Sequence, residues 1–339
     1  MRDGRVGIFL LTLLLAVPAG CARHPAVDTG AVAHPAPIRL LPLAGPAANP
    51  DAEISAMCWC GDTLVLMPQH PERFGVADQP LGAFVLTRTE IESALDRPTT
   101  EVLTPRRVEL RAPGLRESIP GWDGIEAVAS RGNLVFMAVE ARQNGRMVGV
   151  LLRGHAVHDG DGGLHLEMDT ERNVPIAVPT DIANMSQEAL VVCDDQVAVI
   201  FEANGINVHP GPHVALFGLD LAPRGTAPLE PVEYRVTDAC RSDQAGRFWV
   251  INYFFPGERR ALRPVAPPAG PVEHLVELQF HGDRVTRTDR APLDLRVPSD
   301  GEARNWEALV RLPGRGFLVM TDRYPTTLLA HVPDPGVTP

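Results

Sequence analysis

The stretch W-E-A-L-V-R-L-P-G-R-G-F-L-V-M-T-D-R, residues 306–323, reads as two apolar strands around a tight turn, with Glu307 near one open end and Asp322 near the other. It recurs along the chain. E-A-V-A-S-R-G-N-L-V-F-M-A-V-E runs from Glu126 to Glu140, and E-A-L-V-V-C-D-D-Q-V-A-V-I-F-E from Glu188 to Glu202. D-A-C-R-S-D-Q-A-G-R-F-W-V-I-N runs from Asp238 to Asn252, and the most divergent copy, E-I-S-A-M-C-W-C-G-D-T-L-V-L-M-P-Q, from Glu53 to Gln69. One unit repeated in this way is the mark of a repeat architecture.

Each hairpin has the same sequel. Residues 83–87 and 107–110, 147–153 and 164–168, 214–219 and 232–236, and 274–280 and 284–288 are rich in strand formers and divided by Gly, Pro and Asp turns. Four short strands per unit predict propeller blades. No helical periodicity of useful length is read outside the N-terminal segment. After the last hairpin only residues 327–332 are left, so the missing strand is expected from residues 38–43, and pairing the two chain ends removes a free edge. The expected fold is all-β, one five-bladed β-propeller over residues 37–333 closed by an N-terminal strand, with 334–339 as a tail.

In such a ring the first strand of each blade lines the channel and the second runs antiparallel to it. Glu53, Glu126, Glu188, Asp238 and Glu307 are then expected at one mouth, with Glu140, Glu202, Asn252 and Asp322 set further out. Crowded carboxylates push one another to hold protons. A hard divalent cation such as Ca²⁺, which takes oxygen ligands in loose geometry, removes that conflict. Acids at these places also act as cement when they accept backbone amides of the next blade, and both readings stand at this point.

The framework resembles the soluble calcium-activated nucleotidases, or apyrases, five-bladed propellers with calcium in the channel. Glu53-Ile54-Ser55 looks like that family's Glu-Leu-Ser, and Thr237-Asp238-Ala239-Cys240-Arg241-Ser242-Asp243 is similar to its Glu-Ser-Ala-Cys-Trp-Ser-Asp. The resemblance implies Ca²⁺ ligands at Ser55, Glu126, Glu188, Asp238 and Glu307. The family's Asp-Asp-Arg is replaced by Pro68-Gln69-His70-Pro71, which removes a carboxylate that would orient water. Glu140, Glu202 and Asp322 are the remaining candidates for positioning water, and Arg142 and Arg323 for holding a phosphate. A looser resemblance to phytase-like esterase propellers has no diagnostic residue. Two functions stay open, a Ca²⁺-dependent hydrolase of phosphoanhydrides or phosphoesters, and a non-catalytic propeller that binds a ligand or protein. Clustering of arginine at the acidic mouth would favour the first.

The first 21 residues have two arginines, a short apolar run and Pro18-Ala19-Gly20-Cys21, an export signal too short to be a permanent span. It resembles a bacterial lipoprotein signal in which Cys21 is lipidated, the alternative being a secretory signal cut near Ala19. Residues 22–36 read as a flexible tether, which places the domain on a periplasm-facing membrane surface of the cell envelope. With 42 acidic residues against 31 basic ones, all arginine, the net charge of −11 argues against nucleic acid as a partner. Cys58, Cys60, Cys193 and Cys240 read as buried strand residues, with a bridge to Cys58 or Cys60 left open. His209-Pro210-Gly211-Pro212-His213 is a stiff loop whose histidines are either incidental or ligands of a transition metal. His155, His158, Asp159 and Asp161 read as a solvated turn. The nucleophile elbow, the phosphate-binding glycine loop and the zinc-protease motif are all missing from the sequence.

Overall fold

Five antiparallel hairpins carry the architecture. They are Ile54–Cys60 with Thr63–Pro68, Trp122–Arg131 with Leu134–Gln143, Gln187–Cys193 with Gln196–Phe201, Arg235–Arg241 with Arg247–Phe254, and Trp306–Leu312 with Gly316–Thr321. The computed structural model describes residues 34–35, 37–75, 80–97, 101–160, 163–296 and 303–334, and Cys21 with its signal lies outside them. The first strand of each hairpin packs against that of the next, and Trp306–Leu312 returns to Ile54–Cys60. The chain is therefore an all-β, propeller-like assembly of antiparallel sheets.

The core explains why the inner strands are apolar on both faces. Ala56, Cys58 and Cys60 pack with Ile125, Val128 and Met137 of the second unit, while Ile54 and Met57 pack with Ala308, Val310 and Met320 of the fifth. Equivalent clusters lie between the second and third, third and fourth, and fourth and fifth units. A strand with a sheet on either side buries successive side chains, so its sequence reads as a continuous apolar run rather than an alternation. Full burial of each large aliphatic side chain is worth about 1.5–3 kcal/mol.

The outer strands differ from unit to unit. In the first, Gly82–Thr87 and Arg106–Arg111 complete the sheet; in the second, Arg146–His158 and Leu164–Ile176 do so. Arg106–Arg111 and Leu164–Ile176 also pair in parallel, Leu110 opposite Leu166, so these eight strands form one sheet. The third unit ends on His213–Gly218 and Pro223–Pro228. This corrects the expectation of a strand over residues 232–236, because Val236 already belongs to the inner strand of the fourth unit. Pro223–Pro228 is poor in strand formers, but an edge strand tolerates proline.

In the fourth unit Val272–Phe280 carries two short outer pieces, Val285–Arg287 and Leu293–Asp294. His34–Pro35, at the end of the expected tether, pairs in parallel with Leu293–Asp294. In the fifth, Leu329–Val332 pairs with Gly316–Thr321 on one side and Arg39–Leu41 on the other, with Leu40 opposite Ala330. One helix of useful length was not expected, Arg88–Asp96. Thr87 caps it, accepting from Glu90 N while Glu90 Oε2 accepts from Thr87 N, the capping box that Thr-Arg-Thr-Glu spells.

Candidate functional site

Every inner strand slips register with its partner at one equivalent place. The extra residue is Ser55 in the first unit, Glu126 in the second, Glu188 in the third and Glu307 in the fifth, while in the fourth Thr237 and Asp238 face the single residue Ile251. A β-bulge re-aims the side chain it carries. Five bulges at one level of a ring of strands therefore bring one position from each unit to the same mouth.

Two sequence expectations are corrected by this register. Ser55 rather than Glu53 is the counterpart of the glutamates; Glu53 precedes the strand in the left-handed region, with φ 43°. Tyr253 rather than Asn252 stands with Glu140, Glu202 and Asp322, because Val236 pairs with Asn252 just as Ile125 pairs with Val139. Asn252 instead turns its amide to Glu233 O at 2.7 Å.

The five bulge positions do different work. Ser55 Oγ donates to Ile125 O at 2.6 Å, and Thr237 Oγ1 donates to Trp306 O at 2.6 Å. Asp238, next to Thr237, is fully buried, and its two oxygens accept from Ala239 N at 2.8 Å and Leu309 N at 2.6 Å. Burial pushes its carboxyl well above the usual range although both amides oppose this. Ser55 and Asp238 are thus engaged with backbone. Glu126, Glu188 and Glu307 remain as carboxylates facing one another.

Those three are raised together. Burial, then Glu140, Glu188 and Glu307, lift Glu126 well above the carboxylate range, and only the Gln69 amide, donating at 2.8 Å, works against it. Burial, then Glu188 and Asp123, lift Glu140 to about 8. Burial lifts Glu188 to about 7 against the pull of Arg235, and burial with Asp322 raises Glu307.

Arg235, which the sequence reading passed over, is the basic centre of the group. Its guanidinium donates to Glu202, lies 3.2 Å from Glu188 and 3.4 Å from Glu258, and is 3.5 Å from Glu307. Burial opposes its charge, but Glu188, Glu307 and Glu258 hold it on. Glu202 keeps one buried oxygen, Oε2, without a hydrogen-bond partner among the described residues.

A second basic cluster lies beside the first. Glu53 accepts from Arg323 and from Arg73 at 3.0 Å, with His70 Nε2 at 3.4 Å. Gln69 joins the two, its amide N donating to Glu53 O while its side chain holds Glu126. Arg323 stacks on the exposed Tyr324, 5.2 Å from the ring centre. Arg142 lines, with Arg146 and Asp181, a cavity of about 310 Å³, and its charge works against the rise of Glu140.

In donor chemistry Glu126, Glu188 and Glu307 fit a hard cation, all three being carboxylates. Among the described residues no three His, Cys, Asp or Glu side chains are gathered closely enough to hold a metal ion. Cys58, Cys60, Cys193 and Cys240 are buried free thiols. Asp159 pairs with His165 at 3.3 Å, on the outer strands of the second unit. Among the described residues, no helix is long and apolar enough to cross a membrane.

No family model matches the chain, and no curated protein matches it. Among solved structures it is similar to a mutant α-L-arabinanase of Cellvibrio cellulosa, at 11% identity over 83% of this chain and 90% of that one, TM-score 0.48. It is also similar to the soluble aldose sugar dehydrogenase of Escherichia coli in its apo form, at 9% identity over 87% and 98%, TM-score 0.47. The GH43_1 enzyme of Xanthomonas citri complexed with xylose is a third, at 10% identity over 84% and 89%, TM-score 0.42. At these identities nothing of their substrates passes to this chain.

Proposed function

We propose that the chain is an exported, lipid-anchored five-bladed β-propeller, closed by residues 39–41, whose acidic mouth hydrolyses a phosphoanhydride or phosphoester with the help of Ca²⁺. The observation that carries this reading is the convergence of Arg73, Arg323 and His70 on one carboxylate beside the carboxylate ring. A phosphoryl group needs positive charge next to its metal, and arginine supplies it in a planar, bidentate form. The Glu53 carboxylate occupies the place that a phosphate oxygen would take. Displacing it would hand the two arginines to the substrate.

Glu126, Glu188 and Glu307, which stand further apart than one ion requires, would have to close on it, and the ion would then polarise a phosphoryl oxygen. The protein's own groups do the remainder. Glu140, which burial, Glu188 and Asp123 raise, is the group that would deliver a proton to a leaving oxygen. Asp322, adjacent to Arg323, positions water beside the bound phosphate.

One observation favours a second reading, a membrane-tethered propeller that binds without catalysis. Arg235 already neutralises part of the ring, so a scaffold could dispense with further charge. Phosphate release from nucleoside diphosphates and simple phosphoesters, measured in Ca²⁺ and in chelator, separates the two. Calcium-dependent release that Arg323→Gln weakens through KM supports the hydrolase. A panel with no release, while Ca²⁺ still raises the melting temperature, leaves the tethered binder.

A further inference from the structure

We propose that His209 and His213 form a site for a borderline transition-metal ion of the Zn²⁺ class, with the two imidazoles as protein ligands and water completing the shell. The loop that carries them links Gln196–Phe201 to His213–Gly218. Pro210 and Pro212 restrict the backbone between the two rings. His209 is only 5% exposed, and its Nδ1 is buried with no hydrogen-bond partner among the described residues. A buried polar atom without a partner is costly and calls for an explanation.

The spacing of the rings supplies one. Their centres are 5.2 Å apart and their planes meet at 75°. Two imidazoles bound to one tetrahedral ion at Zn–N distances of about 2.0–2.1 Å put their ring centres roughly 5 Å apart. His213 also makes a contact that ligating histidines make. Its Nδ1 lies 3.2 Å from Gly211 O, the kind of carbonyl contact that fixes a ligating histidine's tautomer and leaves Nε2 free.

A pair of imidazole nitrogens suits Zn²⁺, Ni²⁺ or Cu²⁺, whereas the carboxylates of the mouth suit harder ions. The site is therefore chemically distinct from the one above and does not depend on the hydrolase reading.

Isothermal titration of Zn²⁺ into the full chain tests this directly. Wild-type protein is expected to take up zinc at a site that His213→Ala and His209→Ala each remove, lowering the stoichiometry by one, while Glu188→Gln leaves that site in place. His213 is half-buried and its substitution leaves the hydrophobic cluster around Val208 intact, so it serves if His209→Ala fails to fold. Equal zinc stoichiometry in wild type and His213→Ala would overturn the proposal, as would a wild-type protein that takes up no zinc.

Discussion

Ser55 and Thr237 make the same hydrogen bond from different units of the ring. Each hydroxyl donates at 2.6 Å to the carbonyl just before the next unit's glutamate, Ile125 O ahead of Glu126 and Trp306 O ahead of Glu307. The bond fixes where the following bulge begins, so it positions a carboxylate as well as joining two strands.

Removing either hydroxyl should therefore lower stability and disturb the mouth together. Ser55→Ala and Thr237→Val are each expected to cost about 1–3 kcal/mol by leaving a buried carbonyl short of a donor, read by urea unfolding. Thr237→Ser, which keeps the hydroxyl, should lie close to wild type. A Thr237→Val protein with an unchanged midpoint would show that the bond contributes nothing.

Arg235 makes a sharper case. Glu188, Glu202 and Glu307 share it, and Arg235→Met leaves them buried without their counter-charge, an arrangement that typically costs about 3–5 kcal/mol. Millimolar Ca²⁺ should restore much of the lost melting temperature in this variant, and more than it adds to wild type. Equal calcium shifts in the two proteins would mean that the ion and the guanidinium do not serve the same carboxylates.

Acidity of the mouth predicts an unusual pH dependence. The folded protein holds protons on Glu140 up to about 8 and on Glu188 up to about 7, where the unfolded chain has released them above its ordinary value near 4.5. Folded-state values above the unfolded ones stabilise at low pH, and that stability is lost as pH rises through the folded values. In chelator the melting temperature should fall between about pH 5 and 8. Added Ca²⁺ should flatten the decline, since it favours the deprotonated ring. A melting temperature that rises steadily over the same interval in chelator would contradict the assignment.

Much of this arrangement was legible in the sequence, and the misses have physical causes. The inner hairpins were readable because both faces of each strand are covered, which leaves a long apolar run that no surface element would carry. Glu126, Glu188 and Glu307 share one place in the sequence repeat, and the strand register puts a bulge at that place. Glu53 misled, since its left-handed backbone displaces the first acid from the position that Ser55 holds. Thr237 was obscured by the neighbouring Asp238. Pro223–Pro228 lies at a sheet edge where packing asks little of composition, and the capping box of Arg88–Asp96 was outweighed by the strand pattern before it. Arg235 gave no signal, because a single arginine ahead of a strand is ordinary on a surface and becomes informative only with its four carboxylates in place.

If the mouth hydrolyses phosphoryl compounds, Asp322→Asn should reduce turnover by on the order of 10²-fold with little change in the melt. Its backbone contacts, the N–H to Asn305 O and the C=O to Thr327 Oγ1, survive the substitution. Equal loss of kcat and stability would instead make Asp322 a structural residue.

The proposed anchor is tested by fractionation. Cys21→Ser should move the protein from the membrane pellet to the soluble periplasmic fraction. A variant that still sediments with membranes would assign the attachment to another part of the chain.

The parallel pairing of Arg106–Arg111 with Leu166 and Glu167 welds the outer edges of the first two units through two successive pairs. The third and fourth units are tied more sparely, by the single bridge of Leu229 with Val285 and by Val236 N donating to Glu202 O at 2.8 Å, and the segment that follows Arg39–Leu41 is tied to the first unit by the bridge of Leu43 with Leu103. The first two units should consequently open as one cooperative block, with their amides protected together against exchange. Exchange should then begin at joints that single bridges or side chains alone hold.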